Sequence, residues 1–64
     1  MLVEGVSYEV NWGKFRRGAS IFIPCLHPTN AKREVRETIN RLRLPILMQV
    51  VVVEGIRGLR IWRT

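Results

Sequence analysis

The chain has 64 residues and a formal charge of +6, carried by nine Arg and two Lys against five Glu and no Asp. That length leaves room for one domain, 1–64, with a small core, and a single cysteine, Cys25, excludes an intramolecular disulfide. The uncharged stretches, Gly18 to Ala31 and the more apolar Leu44 to Val53, both contain proline and are too short to span a bilayer as a helix, so no membrane partner is expected.

Arginine in such excess suits bidentate contacts to phosphate or carboxylate and stacking on aromatic rings. The partners this predicts are nucleic acid or an acidic protein surface; the plain alternative is a basic surface that only confers solubility. A lone cysteine and an amino terminus without a basic and apolar leader pattern predict a cytoplasmic protein. So small a core, with nothing covalent to brace it, predicts a homodimer.

In chain order, Val6, Tyr8, Val10 and Trp12 alternate with Ser7, Glu9 and Asn11, which predicts a first half-buried strand. Lys14-Phe15-Arg16-Arg17-Gly18 then reads as a basic loop. It is either a phosphate contact or a charged turn with Phe15 tucked beneath the sheet. Ser20 to Cys25 predicts a second strand, with Ile21, Ile23 and Cys25 on one side and Ser20, Phe22 and Pro24 on the other. Pro24 cannot donate to a ladder, so it marks an edge strand or a strand end.

Thr29 or Asn30 is a candidate helix cap, and Ala31, Val35, Thr38, Ile39 and Leu42 fall within one sector of a helical wheel. Glu37 and Arg41 have the spacing of an ion pair, while Lys32, Arg36 and Arg43 line the other edge of the apolar stripe. Pro45 then predicts the end of the helix.

The most legible stretch is Ile46 to Arg63. Val50 to Val53, a turn at Glu54-Gly55, and the strand pattern of Leu59, Ile61 and Trp62 predict a β-hairpin. A two-residue turn sets Val53 opposite Ile56, Val50 opposite Leu59, Met48 opposite Ile61, Gln49 opposite Arg60 and Leu47 opposite Trp62. Gly58, opposite Val51, marks a bulge or a close approach to the backbone.

The predicted fold is α+β: a β-β-α-β-β order, giving a mostly antiparallel four-stranded sheet with one amphipathic helix on one face. Ile21, Ile23, Met48, Val50, Leu59 and Ile61 face the helix. The opposite face carries Phe22, Gln49, Arg60 and Trp62 with Leu47 and Val51. It serves either as a stacking platform for nucleic acid or as a dimer interface.

No catalytic constellation is legible. Cys25 and His27 have no orienting third group, a metal would find too few ligands, and no glycine-rich phosphate loop occurs, so neither an enzyme nor a cofactor is predicted. The function predicted is a small nucleic-acid-binding protein, with Lys14, Arg16, Arg17, Arg57, Arg60 and Arg63 as cationic contacts and Phe22 and Trp62 as stacking rings. The alternatives are a regulator or inhibitor that docks on an acidic surface of a larger protein, and a homo-oligomeric assembly element.

Overall fold

Two turns of the same sequence organise the chain in the computed structural model, which describes residues 1–64. Glu4-Gly5 and Glu54-Gly55 both adopt positive φ, at 50° and 78° and at 51° and 79°. Two successive left-handed residues make the turn whose twist matches paired strands, and glycine takes the second position without strain.

The second turn joins β4 (Ile46–Val53) to β5 (Ile56–Arg63). Their register is the one the sequence predicts: Val53 opposite Ile56, Val50 opposite Leu59, Met48 opposite Ile61 and Leu47 opposite Trp62. Gly58 lies opposite Val51 with the ladder unbroken on either side, so it marks a close approach and not a bulge.

The first turn overturns part of the predicted topology. It folds β1 (Leu2–Val3) against β2 (Val6–Ser7), and reciprocal hydrogen bonds between Met1 and Tyr8, at 2.7 and 2.8 Å, continue that small hairpin. Val6 therefore spends its pairing on Val3 instead of the main sheet. From Tyr8 to Trp12 the chain is extended and alternately half-buried without a ladder, and a 3-10 turn at Trp12–Lys14 ends it. The alternation reports one covered side, which an extended segment has with or without a hydrogen-bonded neighbour.

The main sheet thus has three strands and not the expected four. β3 (Ser20–Pro24) pairs antiparallel with β5, giving the order β3-β5-β4. β3 and β4 are both antiparallel to β5 and so run parallel to each other with β5 between them. Parallel strands need a crossover, and α1 (Pro28–Leu42) provides it.

Neither Thr29 nor Asn30 caps that helix. Pro28 occupies its first turn, where a fixed φ and a missing N–H cost nothing, and the cap residue His27 makes no side-chain capping bond. The Glu4 carboxylate from the first turn serves instead, accepting from Leu26 N–H at 2.8 and 3.0 Å and from His27 N–H at 2.6 Å. The helix ends as predicted, with Arg43 in the left-handed region at φ 56° and Pro45 beyond it. The guanidinium of Arg41 donates to the Glu37 carbonyl at 3.4 Å in place of the expected side-chain ion pair.

Ala31, Val35 and Ile39 of α1 are buried against Ile23, Leu59 and Ile61 of the sheet, with Val3, Phe15 and Cys25 closing the sides. Burying a Leu or Ile side chain stabilises by about 1.5–3 kcal/mol, so Leu59 and Ile61, both fully buried on the central strand, anchor the fold. The helix packs on β5 and on β1 and leaves β4 only partly covered. Val50, expected in the core, is accordingly 44% exposed.

Candidate functional site

The face of the sheet away from the helix follows from register. Reading across β3, β5 and β4, Ser20, Trp62 and Leu47 form one row, and Phe22, Arg60 and Gln49 form the next. Pro24, Gly58 and Val51 form the third. No element covers these rows, and Phe22, Arg60 and Trp62 are each half-buried by their neighbours alone.

Phe22 and Arg60 form the centre of this face. The Arg60 guanidinium carbon lies 5.4 Å from the centroid of the Phe22 ring, within cation–π range, and its Nη1 donates to Ser20 Oγ at 3.3 Å. The tip of the Phe22 ring occupies the space above Gly58, where a Cβ would sit 2.5 Å from Phe22 Cζ. Gly58 beneath it and Arg60 over it hold the ring, so Phe22 orients the guanidinium and is not a free stacking surface. Trp62, one row further, has no aromatic or cationic partner of this kind.

The basic loop lies at the same end of the sheet as Trp62. Gly18 N–H donates to the Arg63 carbonyl and Arg63 N–H donates to Ala19, both at 3.0 Å, which ties the loop to the end of β5. Phe15 is buried and meets the Trp12 ring edge-on at 5.6 Å, leaving Lys14, Arg16 and Arg17 exposed around it. The tucked-phenylalanine reading therefore holds together with an exposed cationic rim.

Two of the predicted cations stand apart from this group. Alternation puts Arg57 and Arg63 on the helix side of β5, opposite to Arg60 and Trp62. Arg63 donates to the Pro45 carbonyl at 3.4 Å, and Arg57 lies at the other end of the strand beside Cys25. The structure thus puts Arg60, Trp62 and Phe22 on one face, with the loop of Lys14, Arg16 and Arg17 attached at the Trp62 end of the sheet.

Burial, and then the Glu4 carboxylate, push the Cys25 thiol above its ordinary pKa, whereas an activated thiolate needs the reverse; His27 is exposed. Hydrogen bonds from Leu26 and then His27 hold the Glu4 carboxyl below its ordinary value. That fits a carboxylate employed as a helix cap. No group of three His, Cys, Asp or Glu side chains converges on a point where a metal could bind, and no helix is long and apolar enough to cross a membrane.

The turn at Glu4-Gly5 was missed in the sequence although its signal was present, since Val3-Glu4-Gly5-Val6 repeats the pattern of Val53-Glu54-Gly55-Ile56. No protein-family model, curated protein or solved structure matches the chain.

Proposed function

We propose that the chain is a binding module for single-stranded nucleic acid, acting through its uncovered sheet face and the adjoining basic loop. The observation that carries this reading is the Arg60–Phe22 stack on an uncovered sheet face that also carries a half-exposed Trp62, with the exposed Lys14, Arg16 and Arg17 on the loop tied to the Trp62 end of the sheet. Bases stack on rings such as Trp62, and cations beside the ring meet the phosphates. Stacking contributes about 1–3 kcal/mol per base and is tolerant of sequence. A guanidinium already aligned by Phe22 and Ser20 loses less freedom on binding a phosphate than a solvated one.

The test is affinity for a labelled oligothymidylate as a function of salt. With Lys14, Arg16, Arg17 and Arg60 as the phosphate contacts, the log–log slope for a single strand is about −3, and Arg60→Gln reduces its magnitude by about 0.7. Binding with no salt dependence, or an unchanged slope in Arg60→Gln, would remove this face from the account. Tight binding to a polyglutamate but not to the oligonucleotide would favour the acidic-protein reading.

A further inference from the structure

The outer edge of β4 is left open. Arg57 accepts from Cys25 N–H at 3.2 Å and Arg63 donates to Ala19 at 3.0 Å, so the odd-numbered residues of β5 direct their backbone groups to β3. Its even-numbered residues then direct theirs to β4, a series that Thr64 continues by donating to Pro45 at 3.2 Å. Across the register, Leu47, Gln49, Val51 and Val53 are the residues of β4 that pair with β5. Ile46, Met48, Val50 and Val52 point their N–H and C=O groups outward, and no turn, loop or side-chain hydrogen bond reaches them.

Exposed edges are normally blunted by charge, proline, a bulge or short length. β4 has none of these: it is eight residues, Ile-Leu-Met-Gln-Val-Val-Val-Val, in unbroken register. The opposite edge does have them, because β3 is five residues long and ends on Pro24. Three apolar side chains of β4 are also exposed, Leu47 by 50%, Val50 by 44% and Val52 by 62%. Beside them a groove of about 400 Å³ opens towards α1, lined by Arg36, Ile39, Asn40, Leu44, Ile46 and Met48.

We infer that a second copy of this chain occupies this edge, with the two β4 strands paired antiparallel about a two-fold axis through Gln49. In that register Met48 stands beside the partner's Val50 and Ile46 beside the partner's Val52. All the outward groups of both strands are then used, in about eight hydrogen bonds. Specific interfaces typically have a similar number. The edge is its own complement, as a two-fold interface requires, and it is an uncharged strand in a chain carrying +6, where two copies repel little. One open edge per copy makes the assembly a closed pair and not a fibre.

The sheet then runs β3-β5-β4-β4-β5-β3, both helices lie on one side, and Val50 and Val52 of each copy are covered in the cleft between them. The Trp62 faces stay uncovered and lie side by side on the other surface. The pairing does not depend on nucleic-acid binding, and it puts the dimer contact at the strand edge, not on the open face. An eight-residue edge is about 27 Å long. That is a small interface, of the class that dissociates readily.

Sedimentation equilibrium from 1 to 200 µM tests the pairing in wild type and in two variants. Val50→Pro removes an outward N–H that the monomer does not use, and Gln49→Arg sets like charges against each other at the axis while altering only an exposed residue. Both are expected to weaken the dimer at least tenfold with unchanged circular dichroism, and the wild-type dimer should persist in 0.5 M salt. Gln49→Cys provides the register. Facing residues of a non-hydrogen-bonded pair have Cα atoms about 4.5 Å apart, within disulfide range, so mild oxidation should cross-link Gln49→Cys and not Leu47→Cys. A wild-type monomer throughout the range, a dimer indifferent to both Val50→Pro and Gln49→Arg, or equal cross-linking of Gln49→Cys and Leu47→Cys would overturn the proposal. A wild-type monomer whose Val52 region is protected only by an added extended peptide would also overturn it, assigning the edge to another protein.

Discussion

Gly58→Ala tests the geometry of the open face without reference to any ligand. A Cβ there would lie 2.5 and 2.7 Å from Phe22 Cζ and Cε1, and 2.7 Å from the Ile23 carbonyl oxygen. The ring can swing away, but the carbonyl belongs to the β3 ladder and can move only by shifting the strand. Overpacking of this kind costs about 1–3 kcal/mol, partly offset by the roughly 0.5–1 kcal/mol that alanine gains from a less mobile unfolded chain. With three contacts under 3.0 Å, one of them to backbone, the cost falls in the upper half of that range, so the expected net loss is about 1–2 kcal/mol. Domains of this size have a total stability of roughly 3–10 kcal/mol, so the loss is a large share. In a thermal melt followed by circular dichroism it corresponds to a drop of about 4–16 °C. Adding Phe22→Leu should restore part of this stability and not all of it, because the Ile23 oxygen stays in place. A Gly58→Ala melting point equal to or above that of wild type would refute the ring's position over Gly58, and with it the alignment of Arg60.

Two further predictions concern the helix ends. Because hydrogen bonding lowers the folded-state pKa of Glu4, its contribution to stability is fully present above the unfolded carboxyl value of about 4.3 and is lost as pH falls through the lower folded value. Urea midpoints should show Glu4→Gln less stable than wild type at pH 6, with the gap closing at pH 3; a gap independent of pH would contradict the cap. Arg43 holds a left-handed conformation at φ 56° that costs a side-chain-bearing residue about 1 kcal/mol, so Arg43→Gly should raise the melting temperature by several degrees. A lower melting temperature would mean that the Arg43 side chain contributes more than its backbone strain.

The hairpin of β4 and β5 was legible to the residue because a two-residue turn fixes register and a one-residue slip would expose Leu59 and Ile61. The helix was legible from the spacing of Ala31, Val35 and Ile39, all buried in the fold. The first strand was misread because the alternation of Tyr8, Val10 and Trp12 records coverage and not pairing, while the turn at Glu4-Gly5 decided what Val6 would pair with. Glu4 itself was invisible as a cap, since it reaches Leu26 and His27 from more than twenty positions away in the chain. At the site, period-two reasoning selected Phe22, Arg60 and Trp62 correctly as one face. The same reasoning applied to Arg57 and Arg63 puts them on the other, and grouping them by charge alone obscured that. The role of Phe22 depended on a contact across strands with Gly58 and Arg60, which pattern alone does not contain.

The most direct measurement of the central claim uses Trp12→Phe, which keeps an aromatic contact with Phe15 and leaves Trp62 as the only indole. Fluorescence is followed while an oligothymidylate is added at 20 mM and then 150 mM salt. Saturable quenching is expected at low salt and weakens at the higher one, with loss of affinity in Arg60→Glu. Unchanged Trp62 emission while the oligonucleotide binds elsewhere, or no binding at either salt, would contradict that claim.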